Sequence, residues 1–367
     1  MINELVLKTE ERAVINLRSL YTAYGYRPFK MSKFEEYDFY VQNKDFLVSD
    51  RVITFTDTDG KLLALKPDVT LSIIRSTKDA PGEKQKLYYD EKVFRVGVTG
   101  GQFKEIMQTG LECIGDLDSV DVFEAVLLAL KSLKFVSNDF VLDISHMGII
   151  SSVLEAASSS VAFRQKVLSL IAEKNTRGVE LACREFNISE ELTFDIVRLA
   201  SLYGCIEQVL PELALICKSK CANKAYNELY ELCQELSKTE HSKNIRIDFS
   251  VVNNMKYYDG IVFRGFLSGI PNGVLAGGEY TGLLEGMGRR SRAVGFALYL
   301  DQLCELEKIP APYDVDVLLI YSDSDSLSDV QYKKQLIVAR GKSVFASKNI
   351  PSGLRYREAV RMEDCDD

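Results

Sequence analysis

The sequence predicts an α+β protein: a largely antiparallel sheet flanked by helices, broken by a helical insertion and followed by a short C-terminal β-α-β unit. Three features predict it. Residues 26–115 are short β-branched and aromatic runs punctuated by turn residues, whereas residues 148–240 hold few strand formers and follow a helical pattern almost throughout. Strand texture returns at 244–267, so the helical module interrupts a sheet domain rather than extending it. Finally, Ile309-Pro310-Ala311-Pro312 marks a linker between residues 1–308 and a smaller unit at 313–367.

The first element is a helix over 9–24, where Val14, Leu17, Leu20, Tyr21 and Tyr24 share one stripe. Thr9 suits its start, Glu10 and Glu11 suit the positive first turn, and Gly25 ends it. Thr58-Asp59-Gly60 is a hairpin signal between ITFTD and KLLALKPD. Residues 84–97 and 101–115 form a second strand pair joined by the loop VTGGQ. A helix at 120–134 and a strand at 139–145 lead into the helical insertion. After it come strands at 244–252 and 257–267, a Gly-dense turn GVLAGGEYTGLLEGMG, and a helix at 292–306. In the last unit VDVLLIYSD, a helix near 326–340 and SVFAS make the β-α-β unit, which ends in the acidic EDCDD.

At 367 residues, 46% hydrophobic and 27% charged, the chain is long enough for one large domain with ample core plus an appendage. Its net charge of −8 gives no global basic field of the kind nucleic acid attracts. The eight cysteines lack C-x-x-C spacing, and Cys217 and Cys221 have no neighbouring His or second Cys pair, so no metal site is expected. Apolar, reduced thiols imply a cytoplasmic compartment. MINELVLKTEERAV has no apolar signal core, and no apolar run reaches the ~18 residues of a membrane span.

Four segments carry candidate chemistry. In FRVGVTGGQFKEIMQTGLECIG, a strand over 105–114 places Gln108, Gly110 and Glu112 on one face and Met107, Leu111 and Cys113 on the other. One amide, one carboxylate and a gap between them suit the floor of a small-molecule pocket; a solvated sheet face is the plainer reading. Lys66-Pro67-Asp68-Val69-Thr70 precedes a helix start, where Asp68 or Thr70 can serve simply as a cap. Tyr257-Tyr258-Asp259-Gly260 reads as strand, with the two tyrosines on opposite faces. Ala276-Gly277-Gly278-Glu279-Tyr280-Thr281-Gly282 allows a tight turn and a close backbone approach.

Taken in order, these segments resemble the histidyl-tRNA synthetase family, whose fold is the class II aminoacyl-tRNA-synthetase-like antiparallel sheet. LKPDVT resembles its arginine-Pro-Glu-Gly-Thr segment, FR…GQFKEIMQTGLECIG its motif 2, MKYYDGIVF and LAGGEYTGLL its two histidine-specific segments, and AVGFALYLDQL its motif 3. The match covers roughly residues 1–306. It implies that Asp68, Thr70 and Gln108 hold the α-amino group of histidine, while Glu112 and Tyr258, with Tyr257 beside them, read its imidazole. A carboxylate accepting an imidazole N–H, with hydroxyl and amide groups fixing orientation, is sound chemistry for that role.

Departures from the family pattern fall on the activation machinery. Arg95 stands where the motif 2 arginine belongs and is a residual phosphate-binding position, but Gln302 replaces the motif 3 arginine. The motif 2 loop offers Gln102 and Lys104, and Asn253 or Asn254 stands in for the arginine before the tyrosine pair. Losing one such donor typically costs ~10²–10³ in rate, so several losses leave no useful activation. Asp68 is one methylene shorter than the family's glutamate, Glu279 and Thr281 break its Arg-Tyr-Asp pattern, and Ser32 replaces the motif 1 proline.

The C-terminal unit is also shorter than the family's anticodon-binding domain. A retained pocket with reduced arginines resembles the regulatory subunit of ATP phosphoribosyltransferase. That resemblance implies no catalysis and no cofactor beyond histidine as an allosteric ligand. It further implies a hetero-oligomer with the short catalytic subunit, a homodimer of this chain, feedback by histidine in its own biosynthesis, and no part for membrane or tRNA. The alternatives are a divergent histidyl-tRNA synthetase or a tRNA-binding synthetase paralogue, the latter needing a basic stripe around Arg289-Arg290-Ser291-Arg292.

Overall fold

A computed structural model describes residues 9–44, 47, 52–79, 82–96, 102–251, 257–306 and 312–364. The 97–101 part of the motif 2 loop, Asn253, Asn254, most of the linker and the final three residues lie outside them. The chain divides into two compact units, one ending at Leu306 and the other beginning at Glu307.

In the larger unit, α1 (Thr9–Ala23) is followed by short strands β1 (Arg27–Pro28) and β2 (Phe34–Glu36), α2 (Tyr37–Gln42), the hairpin β3 (Thr54–Thr56) and β4 (Leu62–Leu65), and α3 (Thr70–Ser76). Long strands β5 (Lys84–Val96) and β6 (Phe103–Gly115) come next, then α4 (Ser119–Val136) and β7 (Phe140–His146). The helical module comprises α5 (Met147–Ala157), α6 (Val161–Ala172), α7 (Thr176–Glu185), α8 (Glu190–Ser201), the two-residue β8 (Tyr203–Gly204), α9 (Ile206–Ala214) and α10 (Lys220–Ser237). The unit closes with β9 (Ile245–Asp248), β10 (Ile261–Leu267), β11 (Leu275–Glu279), α11 (Thr281–Gly286) and β12 (Arg292–Tyr299), which runs into a 3₁₀ turn at Leu300–Leu306.

Nine of these strands form one sheet in the order β1-β5-β6-β12-β11-β10-β7-β9-β8. Every neighbouring pair is antiparallel except β1 with β5 and β7 with β9. The helical module, Met147–Ser237, is therefore the crossover between the parallel neighbours β7 and β9, which explains how it fits without breaking the sheet.

One sheet face carries the main core. Leu111, Cys113, Leu142, Ile144, Phe263, Val294, Phe296 and Leu298 are buried there against Leu17 and Tyr21 of α1, against Ala125, Leu128 and Ala129 of α4, and against the helical module. Leu17 and Tyr21 are fully buried, with Val14, Leu20 and Tyr24 packed beside them, so the predicted stripe of α1 is the face that docks. Gly25 ends α1 at φ 83°, a left-handed position that a Cβ disfavours. A smaller core on the opposite face, with Leu71, Ile73, Ile74, Tyr89, Tyr257, Tyr280, Leu283 and Leu284, walls the region where the candidate pocket lies.

Three expectations are corrected. Residues 292–306 begin as a strand, not a helix. Val294, Phe296 and Leu298 alternate with Gly295, Ala297 and Tyr299, and that period-2 alternation of bulk prevails over the helix-forming Ala and Leu content. The Gly-dense segment is likewise not all turn: it holds the strand β11, where glycines let it pack under its neighbours' backbones, and then α11. Tyr257 and Tyr258 precede β10 instead of lying in it, so the strand rule that separates their faces does not apply.

The smaller unit holds β13 (Val315–Ile320), α12 (Leu327–Ala339), β14 (Val344–Ser347) and β15 (Tyr356–Arg361). Its sheet is parallel, in the order β14-β13-β15, around Val317, Leu319 and Ile337. The third strand exceeds the predicted β-α-β unit. Its sequence YREAVR is an edge strand carrying charges, which conceals it from a search for apolar runs.

Candidate functional site

The strand registers place small residues where a pocket needs them. One row crosses five strands as Tyr89, Gly110, Ala297, Ala276 and Arg264. The next row on the same face contains Glu112, Gly295 and Gly278, and the row on the other side contains Gln108 and Tyr299. Between Tyr89 at one end and Arg264 at the other, no side chain in the central row exceeds a methyl group. The result is a trough across the sheet, and a cavity of about 410 Å³ occupies it.

All six residues implied as histidine-binding, together with Arg95, line this one cavity. Glu112 is its electrostatic centre. The carboxylate is 2% exposed, with Oε1 accepting the Thr70 hydroxyl at 2.7 Å and Oε2 accepting the Tyr280 hydroxyl at 2.5 Å. Burial outweighs those two hydrogen bonds and lifts its pKa to about 8, with the Asp68 charge pushing the same way. Below that pH the empty pocket holds Glu112 neutral.

Asp68 does two things. Its Oδ1 accepts the Leu71 amide at 3.0 Å at the start of α3, which is the capping role the sequence allowed. Its Oδ2 faces Arg95 at 3.9 Å within the cavity lining. Burial raises this acid too, partly offset by Arg95. Arg95 is held in turn by the Pro67 carbonyl at 2.9 Å. Gln108 is buried on the β6 floor, two residues from the gap at Gly110.

The two tyrosine rings meet at a tilt of 56° with centroids 4.6 Å apart, and both line the cavity. Strand periodicity sets them on opposite faces; leaving the strand lets both rings turn inward. Tyr280 is a site residue that the sequence does not single out, although it donates directly to Glu112. Its position at the end of β11, facing the β6 carboxylate across Gly295, is a matter of register that a single segment does not display. Sequence reasoning also misses Arg264 and Tyr299. A lone arginine inside the apolar strand IVFRGFL is the available signal.

The floor glycines are obligatory. A Cβ on Gly295 would overlap Glu112 Oε2 and come within 2.5 Å of the Leu111 carbonyl, and one on Gly110 would overlap the Phe296 carbonyl and sit 2.6 Å from Tyr89 Oη. Backbone atoms cannot yield as a flexible side chain can. Gly295→Ala is expected to lower stability by ~1–3 kcal/mol or more and to abolish ligand binding at the Glu112 pocket, as thermal unfolding and calorimetric titration would report.

Two of the three arginines in the run 289–292 are engaged within the fold. Arg289 donates to Asp79 at 2.8 Å, to the Ile74 carbonyl at 2.8 Å and to Thr77, while Arg292 bonds Glu279 and the Leu117 carbonyl. Gln302, at the motif 3 arginine position, is in the 3₁₀ turn and does not line the cavity. Arg95 and Arg264 are the only arginines that do, among the described residues.

A family model described as histidyl-tRNA synthetase matches residues 5–303, most of the chain. The chain belongs to the histidyl-tRNA synthetase family. Within it, the chain is 27% identical over 329 residues to the ATP phosphoribosyltransferase regulatory subunit of Ruminiclostridium cellulolyticum, covering 87% of this chain and 78% of that one. A solved structure described as an ATP phosphoribosyltransferase regulatory subunit/histidyl-tRNA synthetase from Bacillus halodurans superposes with a TM-score of 0.80 at 21% identity, covering 96% and 93% of the two chains. A chain of the ATP phosphoribosyl transferase (HisG:HisZ) complex from Thermotoga maritima gives 0.63 at 21%, covering 79% and 97%. The fold is the class II synthetase-like α+β fold that the sequence predicted, and no described helix is long and apolar enough to cross a membrane.

Proposed function

We propose that this chain is a non-catalytic, histidine-binding regulatory subunit of ATP phosphoribosyltransferase, and that it supports and feedback-inhibits a short catalytic subunit. The observation that carries the reading is the cavity's polarity. Glu112, Asp68, Thr70 and Gln108 gather around the small-residue trough, an acceptor-rich set suited to an ammonium and an imidazole N–H. The cationic side is thin for a triphosphate: among the described residues only Arg95 and Arg264 supply it, Arg95 is already bound to the Pro67 carbonyl, and Gln302 is not part of the cavity lining. Relatives named as regulatory subunits support the same reading, as does the neighbour's membership of a two-component complex.

Feedback requires only that histidine bind the inhibited assembly more tightly than the active one, and a coupling of ~1–3 kcal/mol suffices. Two copies of this chain pairing through the motif 1 region would give the assembly its symmetry. The deciding experiment is phosphoribosyl transfer by the cognate short catalytic subunit, with and without the chain, across a histidine titration. Activity is expected to rise on adding the chain and to fall with histidine, while histidine-dependent ATP–pyrophosphate exchange stays at background. Unchanged transfer rates would sink the regulatory reading, and measurable exchange would make the chain a divergent synthetase.

A further inference from the structure

Arg264 is the charged group in the cavity that the amine- and imidazole-binding set leaves without a task. It lies mid-strand in β10, paired across the sheet with Ala276 on one side and Asp143 on the other. Among the described residues it donates no hydrogen bond and joins no ion pair within 4 Å, and its described ring contact is with Phe266, 5.5 Å from the guanidinium carbon. A buried or half-buried guanidinium with five unused donors is costly unless something accepts from it. The surroundings are cut to make room for it: a Cβ on Gly273 would overlap Arg264 Nε, and Gly273 lines the cavity beside it.

The sheet register sets the distance to the acidic side. β12 and β11 separate the Arg264 strand from the Glu112 and Gln108 strand, so three spacings of about 4.8 Å put the two backbones about 14 Å apart. Arg264, Gln108 and Glu112 nevertheless line one cavity, whose floor between them is Gly295, Ala276 and Ala297. Tyr299, on the same face of β12, lines the cavity together with both arginines. Acceptors for an ammonium and an imidazole at one end, and an unspent planar cation toward the other, are the charge pattern of a zwitterionic α-amino acid.

We propose that Arg264 is the carboxylate-binding residue of this pocket, and that it makes the site selective for a free amino acid over the same side chain with its carboxyl group blocked or missing. A guanidinium can take a carboxylate in a two-point, charge-assisted fork, which an amide or a bare methylene cannot supply. The inference rests on the histidine reading of the pocket, and names which end of the ligand this chain's own arginine holds.

The test is calorimetric titration of the full chain with L-histidine, histidinamide and histamine at pH 7.5, for the unsubstituted chain, Arg264→Gln and Arg264→Lys. The unsubstituted chain is expected to prefer histidine over histidinamide by on the order of 30-fold. In Arg264→Gln that ratio should collapse to within about threefold while histidinamide affinity itself barely changes; Arg264→Lys should restore part of the preference. A ratio in Arg264→Gln equal to that of the unsubstituted chain would overturn the proposal alone, as would equal binding of histidine and histidinamide by the unsubstituted chain. Binding of none of the three ligands by the unsubstituted chain would overturn the histidine reading together with it. Thermal unfolding of each variant without ligand separates a lost contact from a lost fold.

Discussion

Histidine affinity is expected to peak between about pH 6.5 and pH 8 and to fall about tenfold for each pH unit below that window. The reason lies in proton counts. Free imidazole loses its proton near 6.5, whereas Glu112 in the empty pocket keeps its own up to about 8. In the complex the imidazole and Glu112 face each other in a buried, low-dielectric site, and the pair holds one proton whichever atom carries it. Between the two values the free partners together also carry one proton, on Glu112, so binding moves none to or from solvent. Below 6.5 both partners arrive protonated and one proton must leave, which weakens binding as pH falls. Above 8 neither carries it and one must be taken up, which weakens binding as pH rises.

At pH 5 the affinity should thus be ~30-fold below its plateau, and protonation of Asp68, also favoured by burial, steepens the fall at the acid end. Titrations in buffers of differing ionisation enthalpy would show proton release at pH 5, none near pH 7.2 and uptake at pH 9. Glu112→Gln removes the titrating partner and a charge-assisted hydrogen bond, so affinity at pH 7 should drop on the order of 10²-fold and the alkaline limb should shrink to the part set by the ligand's own ammonium. A mutant with unaltered affinity would remove Glu112 from the ligand, and proton release at pH 7.2 with no Glu112-dependent uptake at pH 9 would mean that the bound carboxylate and imidazole share no proton.

Much of this site was legible because its residues follow period-2 and capping rules. Gln108, Gly110 and Glu112 share a face in any strand spanning them, and the structure puts them in the cavity with Leu111 and Cys113 in the core behind. Asp68 reads as a helix cap and does accept an amide of the first turn of α3, while also lining the pocket. What the sequence withheld depends on which strands become neighbours. Tyr280 meets Glu112 across 168 residues of chain, and Arg264 reaches the trough only because β10, β11, β12 and β6 lie side by side. Composition misled where small residues served as pocket floor: Gly295 and Ala297 look like helix or turn positions until their alternation with Val294, Phe296 and Leu298 is given priority. The tyrosine pair failed for the opposite reason, since a periodicity was applied to residues that are not in the strand.

Asp143→Asn is expected to stabilise the ligand-free chain above neutral pH and to do nothing near pH 4. Asp143 stands on β7 directly across from Arg264 and from Arg246, yet its Oδ1 is buried without a hydrogen-bond partner. Burial raises its pKa to about 7, helped by the charge of Asp248 and opposed by Lys174, Arg246 and Arg264. An acid raised in the folded state binds more protons there than in the unfolded chain, so stability falls as pH climbs from the unfolded value near 3.8 to the folded value of about 7. The loss is complete above that and amounts to a few kcal/mol at most, given about 1.36 kcal/mol per pKa unit. Asparagine cannot ionise, so the advantage of the variant should be absent near pH 4, grow through that window and stay constant beyond it. Thermal unfolding of both proteins at pH 4, 7 and 9 reads the trend as a shift of several degrees. A difference that does not vary with pH would mean that the arginines beside Asp143 keep it ionised, and that Arg264 is already spent on it rather than on a ligand.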